Sequence, residues 1–124
     1  MIDFQNKSFF KLKPEENSSG YNTVRELLIE NEEVIASFVA LRDKVVFTNK
    51  RIISVNVQGI TGSKKDYTSI PYSKIQTYSV ETAGLLDLDA ELEIWISGLG
   101  KIKFEIRNSA NIVQLCQSIS RLIL

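Results

Sequence analysis

The chain has 124 residues, enough for one domain with one hydrophobic core, and its 44% apolar and 24% charged content is that of an ordinary globular protein. Fifteen basic residues balance fifteen acidic ones, so there is no overall basic excess to drive nucleic-acid binding by counterion release. With no histidine and a single cysteine, Cys116, the chain cannot build a Ser-His-Asp or Cys-His catalytic set, a thiolate zinc cluster or an internal disulfide, and no metal or cofactor is expected.

The start, Met1-Ile2-Asp3-Phe4, lacks the basic and apolar regions of a signal peptide, and no apolar run approaches the ~18 residues of a membrane span. A lone thiol suits a reducing compartment, so the expected location is the cytoplasm. Residues 1–30 read as a lead: a short ordered stretch, a loop through Glu15-Glu16-Asn17-Ser18-Ser19-Gly20, and a short helix. On that helix Val24, Leu27 and Leu28 recur at helical spacing, with Asn22 or Thr23 as its cap.

Residues 33–107 read as strands. The first covers 34–41, and a tight turn is expected at Asp43-Lys44. Val45-Val46-Phe47 and Ile52 to Val57 flank Thr48-Asn49-Lys50-Arg51, a two-residue hairpin turn in which asparagine tolerates positive φ. The glycine-containing stretch from Gln58 to Lys65 fails the spacing of a phosphate loop and reads as a connection. Further strands are expected at 66–71 and 75–82.

Residues 87–96 alternate without exception: Leu88, Ala90, Leu92, Ile94 and Ile96 lie on one face, and Asp87, Asp89, Glu91, Glu93 and Trp95 on the other. In the next strand Ile102, Phe104 and Ile106 oppose Lys101, Lys103, Glu105 and Arg107. For both apolar sets to share a face, Ile96 must meet Ile102 or another even-numbered residue across a loop of odd length. Gly98-Leu99-Gly100 supplies such a loop and sets Trp95 opposite Lys103.

Residues 109–123 change period. Ile112, Leu115, Cys116, Ile119, Leu122 and Ile123 form a helical stripe, capped by Ser109 or Asn108, that packs on the sheet and buries the thiol. About seven strands followed by one amphipathic helix fit a bent antiparallel sheet closed by that helix, a mainly β single domain spanning 1–124.

Val46-Phe47-Thr48-Asn49-Lys50-Arg51-Ile52-Ile53 resembles the T-N-K-R-[LI]-I hairpin of bacterial pleckstrin-homology-like (PH-like) domains. Ile2-Asp3-Phe4, the loop Val57 to Gly62, the step Ile70-Pro71-Tyr72 and the strand Glu91 to Gly98 are similar to that family in order and spacing. The resemblance implies a seven-stranded, partly open barrel of two antiparallel sheets capped by a C-terminal helix. It also implies a ring-shaped homo-oligomer of single-domain chains, pentameric, with no enzymatic activity and an unidentified protein partner. The eukaryotic relatives bind phosphoinositides through basic residues flanking a long loop. Here the loop is the short Leu41-Arg42-Asp43-Lys44, the pattern is missing, and lipid binding is not implied.

Strands 34–41 and 45–57 are apolar on both faces. Pairing Thr48 with Arg51 sets Val46 opposite Ile53 and assigns Val46, Ile53, Val55 and Val57 to the core. Val45, Phe47 and Ile52, with Ile35 or Phe38, then form an outer apolar surface that needs a cover. The cover is the N-terminal segment or its short helix, a subunit or partner interface to which Trp95 also contributes, or a peptide or lipid bound in a groove. Lys44, Lys50 and Arg51 at the hairpin ends form the alternative site, a patch for anionic lipid or phosphate at a membrane surface. The acidic stripe of Asp87, Asp89, Glu91 and Glu93 reads as a solvated face offset by Lys101, Lys103 and Arg107, since alternate strand residues lie about 7 Å apart, too wide to chelate one ion.

Overall fold

The computed structural model describes residues 1, 9–86, 88–107 and 111–124. The strands are β1 (Phe9–Glu15), β2 (Val34–Ala40), β3 (Asp43–Thr48), β4 (Arg51–Gln58), β5 (Lys64–Pro71), β6 (Ile75–Glu81), β7 (Asp89–Ile96) and β8 (Gly100–Arg107). Two helices, α1 (Asn17–Val24) and α2 (Ile112–Ile123), and a 3-10 turn at Tyr72–Lys74 complete the described elements. The strands form one curled sheet in the order β5-β4-β3-β2-β1-β8-β7-β6. This is the PH-like half-barrel with its C-terminal helix, and it has eight strands among the described residues where seven were expected.

The additional strand is β1, which falls in the stretch read as a lead. It pairs antiparallel with β2 and parallel with β8, so it joins the two halves of the sheet. Its pattern is broken by Pro14 and by Lys11, whose φ of 59° interrupts the extended run. Helix α1 begins at Asn17, ahead of the position expected for it, and takes in the Ser18-Ser19-Gly20 stretch read as loop. These are poor helix formers, so tertiary packing decides: Gly20 and Val24 are buried against β2 and β3. A Cβ on Gly20 would lie 2.3 Å from the Ser37 hydroxyl and 2.6 Å from its Cβ, so only glycine lets α1 lie this close.

The β3–β4 hairpin has the expected register, with Val46 opposite Ile53 and Phe47 opposite Ile52 around Asn49-Lys50. Its faces are the reverse of those expected. Val45, Phe47 and Ile52 are completely buried inside the barrel. Phe47 packs edge-on against Phe38 and Phe104 at centroid distances of 5.7 and 6.2 Å. Val46, Ile53 and Val55 form a second, smaller core beneath Val24 of α1, flanked by Leu28, Val34 and Tyr67. The wide barrel interior takes the bulkier phenylalanine and isoleucine pair, and the N-terminal helix seals the valine-rich face.

Turn details also differ. Ala40 pairs with Asp43, so the β2–β3 turn is Leu41-Arg42, with Leu41 at φ 50°, and Asp43 instead accepts hydrogen bonds from the Asn56 side chain and the Val57 amide. Between β7 and β8 the odd-length loop is Ser97-Gly98-Leu99, with Ile96 opposite Gly100 and Ile94 opposite Ile102. Gly98 and Gly100 use φ of 81° and 95°, as that turn requires. Trp95 consequently faces Lys101 rather than Lys103. Leu88, read as part of the β7 apolar face, precedes the strand and is 65% exposed.

Helix α2 lays Ile112, Leu115 and Ile119 onto the barrel core, while Leu122 is exposed and Cys116 only half-buried. The Tyr78 hydroxyl donates to Ser120 Oγ at 2.8 Å and ties the helix to β6. The caps expected at Asn108 or Ser109, the leading Ile2-Asp3-Phe4 and the acidic residue Asp87 lie outside the described residues.

Candidate interaction surface

The side chains of the hairpin signature Thr48-Asn49-Lys50-Arg51 bond mostly within the protein. The Thr48 hydroxyl donates to Glu32 at 2.6 Å and accepts from the Lys50 and Arg51 amides, each at 3.0 Å, which closes the turn. Asn49 does not use positive φ; its side chain accepts from the Glu33 amide and donates to the Asn31 carbonyl, pinning the turn to the preceding loop. Arg51 grips Glu32 through Nε and a terminal nitrogen, both at 3.0 Å, and also reaches Ser69 and the Leu27 carbonyl.

The Glu32 side chain is wholly enclosed. Burial pushes its pKa up, but Arg51, the Thr48 hydroxyl and the Ile29 amide together hold it below the ordinary carboxylate value. Tyr72 donates to the Thr48 carbonyl at 2.7 Å, and burial, with the Glu32 charge, lifts its hydroxyl well above the usual phenol value. The signature is therefore a clamp that locks the hairpin to loop 25–33 and to the β5–β6 corner.

This changes the standing of the basic residues. Arg51 is neutralised by Glu32, and Lys44 bonds Glu15 at 3.0 Å, while the same carboxylate accepts from Ser37 at 2.8 Å. Lys44 lies at the Asp43 end of β3 whereas Lys50 and Arg51 follow its Thr48 end, so the three do not form one patch. Of the three, Lys50 alone is exposed. The Ser37–Glu15–Lys44 set juxtaposes a hydroxyl, a carboxylate and an amine, yet Ser37 is 2% exposed beneath Gly20 and closed to a substrate.

Val45, Phe47 and Ile52 cannot form an interface, because the barrel interior consumes them. Trp95 remains at the surface, 49% exposed. It stands over a shallow depression formed with Thr77, Ser79, Glu93 and Lys101 on the outer side of β6, β7 and β8. The acidic stripe here is balanced across strands: Lys103 bonds Glu91 at 3.1 Å and Lys101 approaches Glu93 at 3.8 Å. The Glu91 hydrogen bond raises the Lys103 pKa; desolvation opposes it, and the Glu91, Glu105 and Glu93 charges add to the rise.

Two features escaped the sequence reading. Leu85 and Leu86 are fully exposed in the β6–β7 loop, where a glycine-led leucine pair outside any periodic segment was the available signal. An open groove of about 350 Å³ runs between the β1–β2 pair and α2, with Pro14, Ile35, Phe38, Ile106, Ile112 and Leu115 among its lining residues. Among the described residues, no helix is long and apolar enough to cross a membrane.

Comparison with known proteins agrees with this architecture. The chain is 58% identical over 72 residues to the uncharacterized protein YjqA of Bacillus subtilis (strain 168), a match covering 58% of each chain. It is 31% identical over 75 residues to the uncharacterized protein YozO of the same organism, covering 60% of this chain and 65% of that one. The matches thus span less than two thirds of these relatives' length. A crystal structure of a pleckstrin-homology domain protein from Shewanella loihica PV-4 superimposes with a TM-score of 0.78 at 34% identity, covering 92% of this chain and 98% of the other. A pleckstrin homology domain from Shewanella amazonensis SB2B gives 0.65 at 37% identity over 96% and 93%. Nothing in these likenesses points to catalysis. Residues 3–123 match the model of the bacterial PH domain, and with the curled sheet, the closing helix and the clamped hairpin in place, the chain belongs to the bacterial PH domain family.

Proposed function

We propose that this chain is a non-catalytic PH-like interaction domain that assembles into a closed ring of identical subunits, pentameric as the family resemblance implies, and presents that ring to a protein partner. The observation that carries the reading is Trp95. A large amphipathic side chain is left half in water, outside both hydrophobic cores, beside a strand that has one neighbour among the described residues. Tryptophan is the residue type most concentrated at the energetic centres of protein interfaces.

Trp95 is also the only tryptophan in the chain, so its fluorescence reports on this face alone. Emission is expected to shift to the red as the protein is diluted through dissociation, and Trp95→Ser is expected to weaken assembly with its fold intact by circular dichroism. An emission maximum that stays constant on dilution while the mass falls would remove Trp95 from the interface.

A further inference from the structure

Two hairpin tips meet at one end of the sheet. Because Lys44 lies opposite Val55, the β2–β3 turn, Leu41-Arg42, stands beside the β4–β5 loop, residues 59–63. Asp43 ties them by accepting from the Asn56 side chain and the Val57 amide. The Arg42 guanidinium lies over Gly62, where a Cβ would come within 2.7 Å of it. Both tips break ordinary turn chemistry. Leu41 holds φ at 50°, a conformation that suits glycine, asparagine or aspartate, and Ile60 stands between Gly59 and Thr61 where a small polar residue is usual. Each is fully exposed, so neither gains packing in return. Local rules broken without such a gain mark functional positions.

Charge at this end is one-sided. Within residues 41–44 and 58–66, Lys44 pairs with Glu15 and Asp66 with the Met1 ammonium. The side chains of Arg42, Lys64 and Lys65 are exposed, with no hydrogen bond or ion pair among the described residues, against the remaining carboxylate of Asp43. Resting on the reading of a protein partner above, we infer that the two tips bind an acidic segment of that partner. A carboxylate takes the Arg42 guanidinium, and aliphatic side chains on either side of it cover Leu41 and Ile60. The planar fork of arginine, held over Gly62, suits a carboxylate bidentately. Apolar contacts around the ion pair exclude water and strengthen it. A bilayer fits the tips less well. Recognition of anionic lipid takes about four to eight clustered cations, more than Arg42, Lys64 and Lys65 supply. Inserting the tips would also strip water from the exposed Gln58, Thr61 and Ser63, to which a peptide can hydrogen-bond.

The test uses the full chain. Panned on it, a random-peptide display library is expected to yield sequences with an acidic residue between aliphatic ones. The strongest of them, synthesised and labelled, is expected to bind about tenfold more weakly to Arg42→Ala, and likewise to the double variant Leu41→Asn, Ile60→Ser. Asparagine suits the left-handed turn, so Leu41→Asn should maintain or raise the thermal unfolding temperature while binding falls, which separates contact from fold. Enriched peptides that bind wild type and variants equally would overturn the tip site and leave the partner reading in place. No enrichment at all would remove the partner reading together with this site. Pelleting of the protein with phosphatidylglycerol vesicles, lost in the same variants, would make a bilayer the occupant and overturn the inference.

Discussion

Ser54 carries its hydroxyl into the barrel, completely buried and without a hydrogen-bond partner among the described residues, while its neighbours across the sheet are Val45 and Thr68. An unsatisfied buried hydroxyl costs about 1–3 kcal/mol. Ser54→Ala is therefore expected to leave stability unchanged or raise it by about 1 kcal/mol in urea denaturation, and a clear loss would mean that the hydroxyl is partnered. Gly20→Ala tests the opposite sign. Helix propensity alone would favour alanine by about 1 kcal/mol. The collision with Ser37 should outweigh that gain and destabilise the protein by about 1–3 kcal/mol. Neither effect was legible in the sequence. A serine among valines does not show which face it occupies, and a glycine after two serines reads as a loop.

At the scale of elements, the hairpin clamp concentrates the buried charge. Removing Arg51 leaves Glu32 enclosed and unpaired, so Arg51→Met is expected to cost about 3 kcal/mol or more, whereas Lys50→Ala at the exposed turn should stay within about 0.5 kcal/mol. Acid should act through the same carboxylate. The folded-state pKa of Glu32 lies below its ordinary 4.5, so its contribution is fully present above that value and is lost as pH falls through the folded value. Glu32→Gln should flatten the acid limb of the stability profile, and an unchanged limb would place the titrating group elsewhere.

The elements themselves were legible where one face meets water. The strict alternation in β7 and β8 yielded strands, parity and an odd turn together. The β3–β4 strands are apolar on both faces, so register could be read but inside and outside could not; bulk decided, with Phe47 and Ile52 facing in. β1 and α1 were obscured because tertiary packing, rather than propensity, holds them in place. The basic signature at Lys44 and Arg51 looked like a surface because its partners, Glu15 and Glu32, are distant in sequence.

For the whole molecule, the fold accounts for its own apolar surface more completely than the sequence suggested, since α1 and α2 cover what strands alone would expose. Among the described residues the apolar groups left exposed include the Trp95 indole and the Leu85-Leu86 pair of the β6–β7 loop. The most direct measurement is the absolute mass by light scattering over a tenfold range of concentration. A concentration-independent multiple of 14.0 kDa, near five subunits, is expected. A mass of one subunit throughout that range would contradict it.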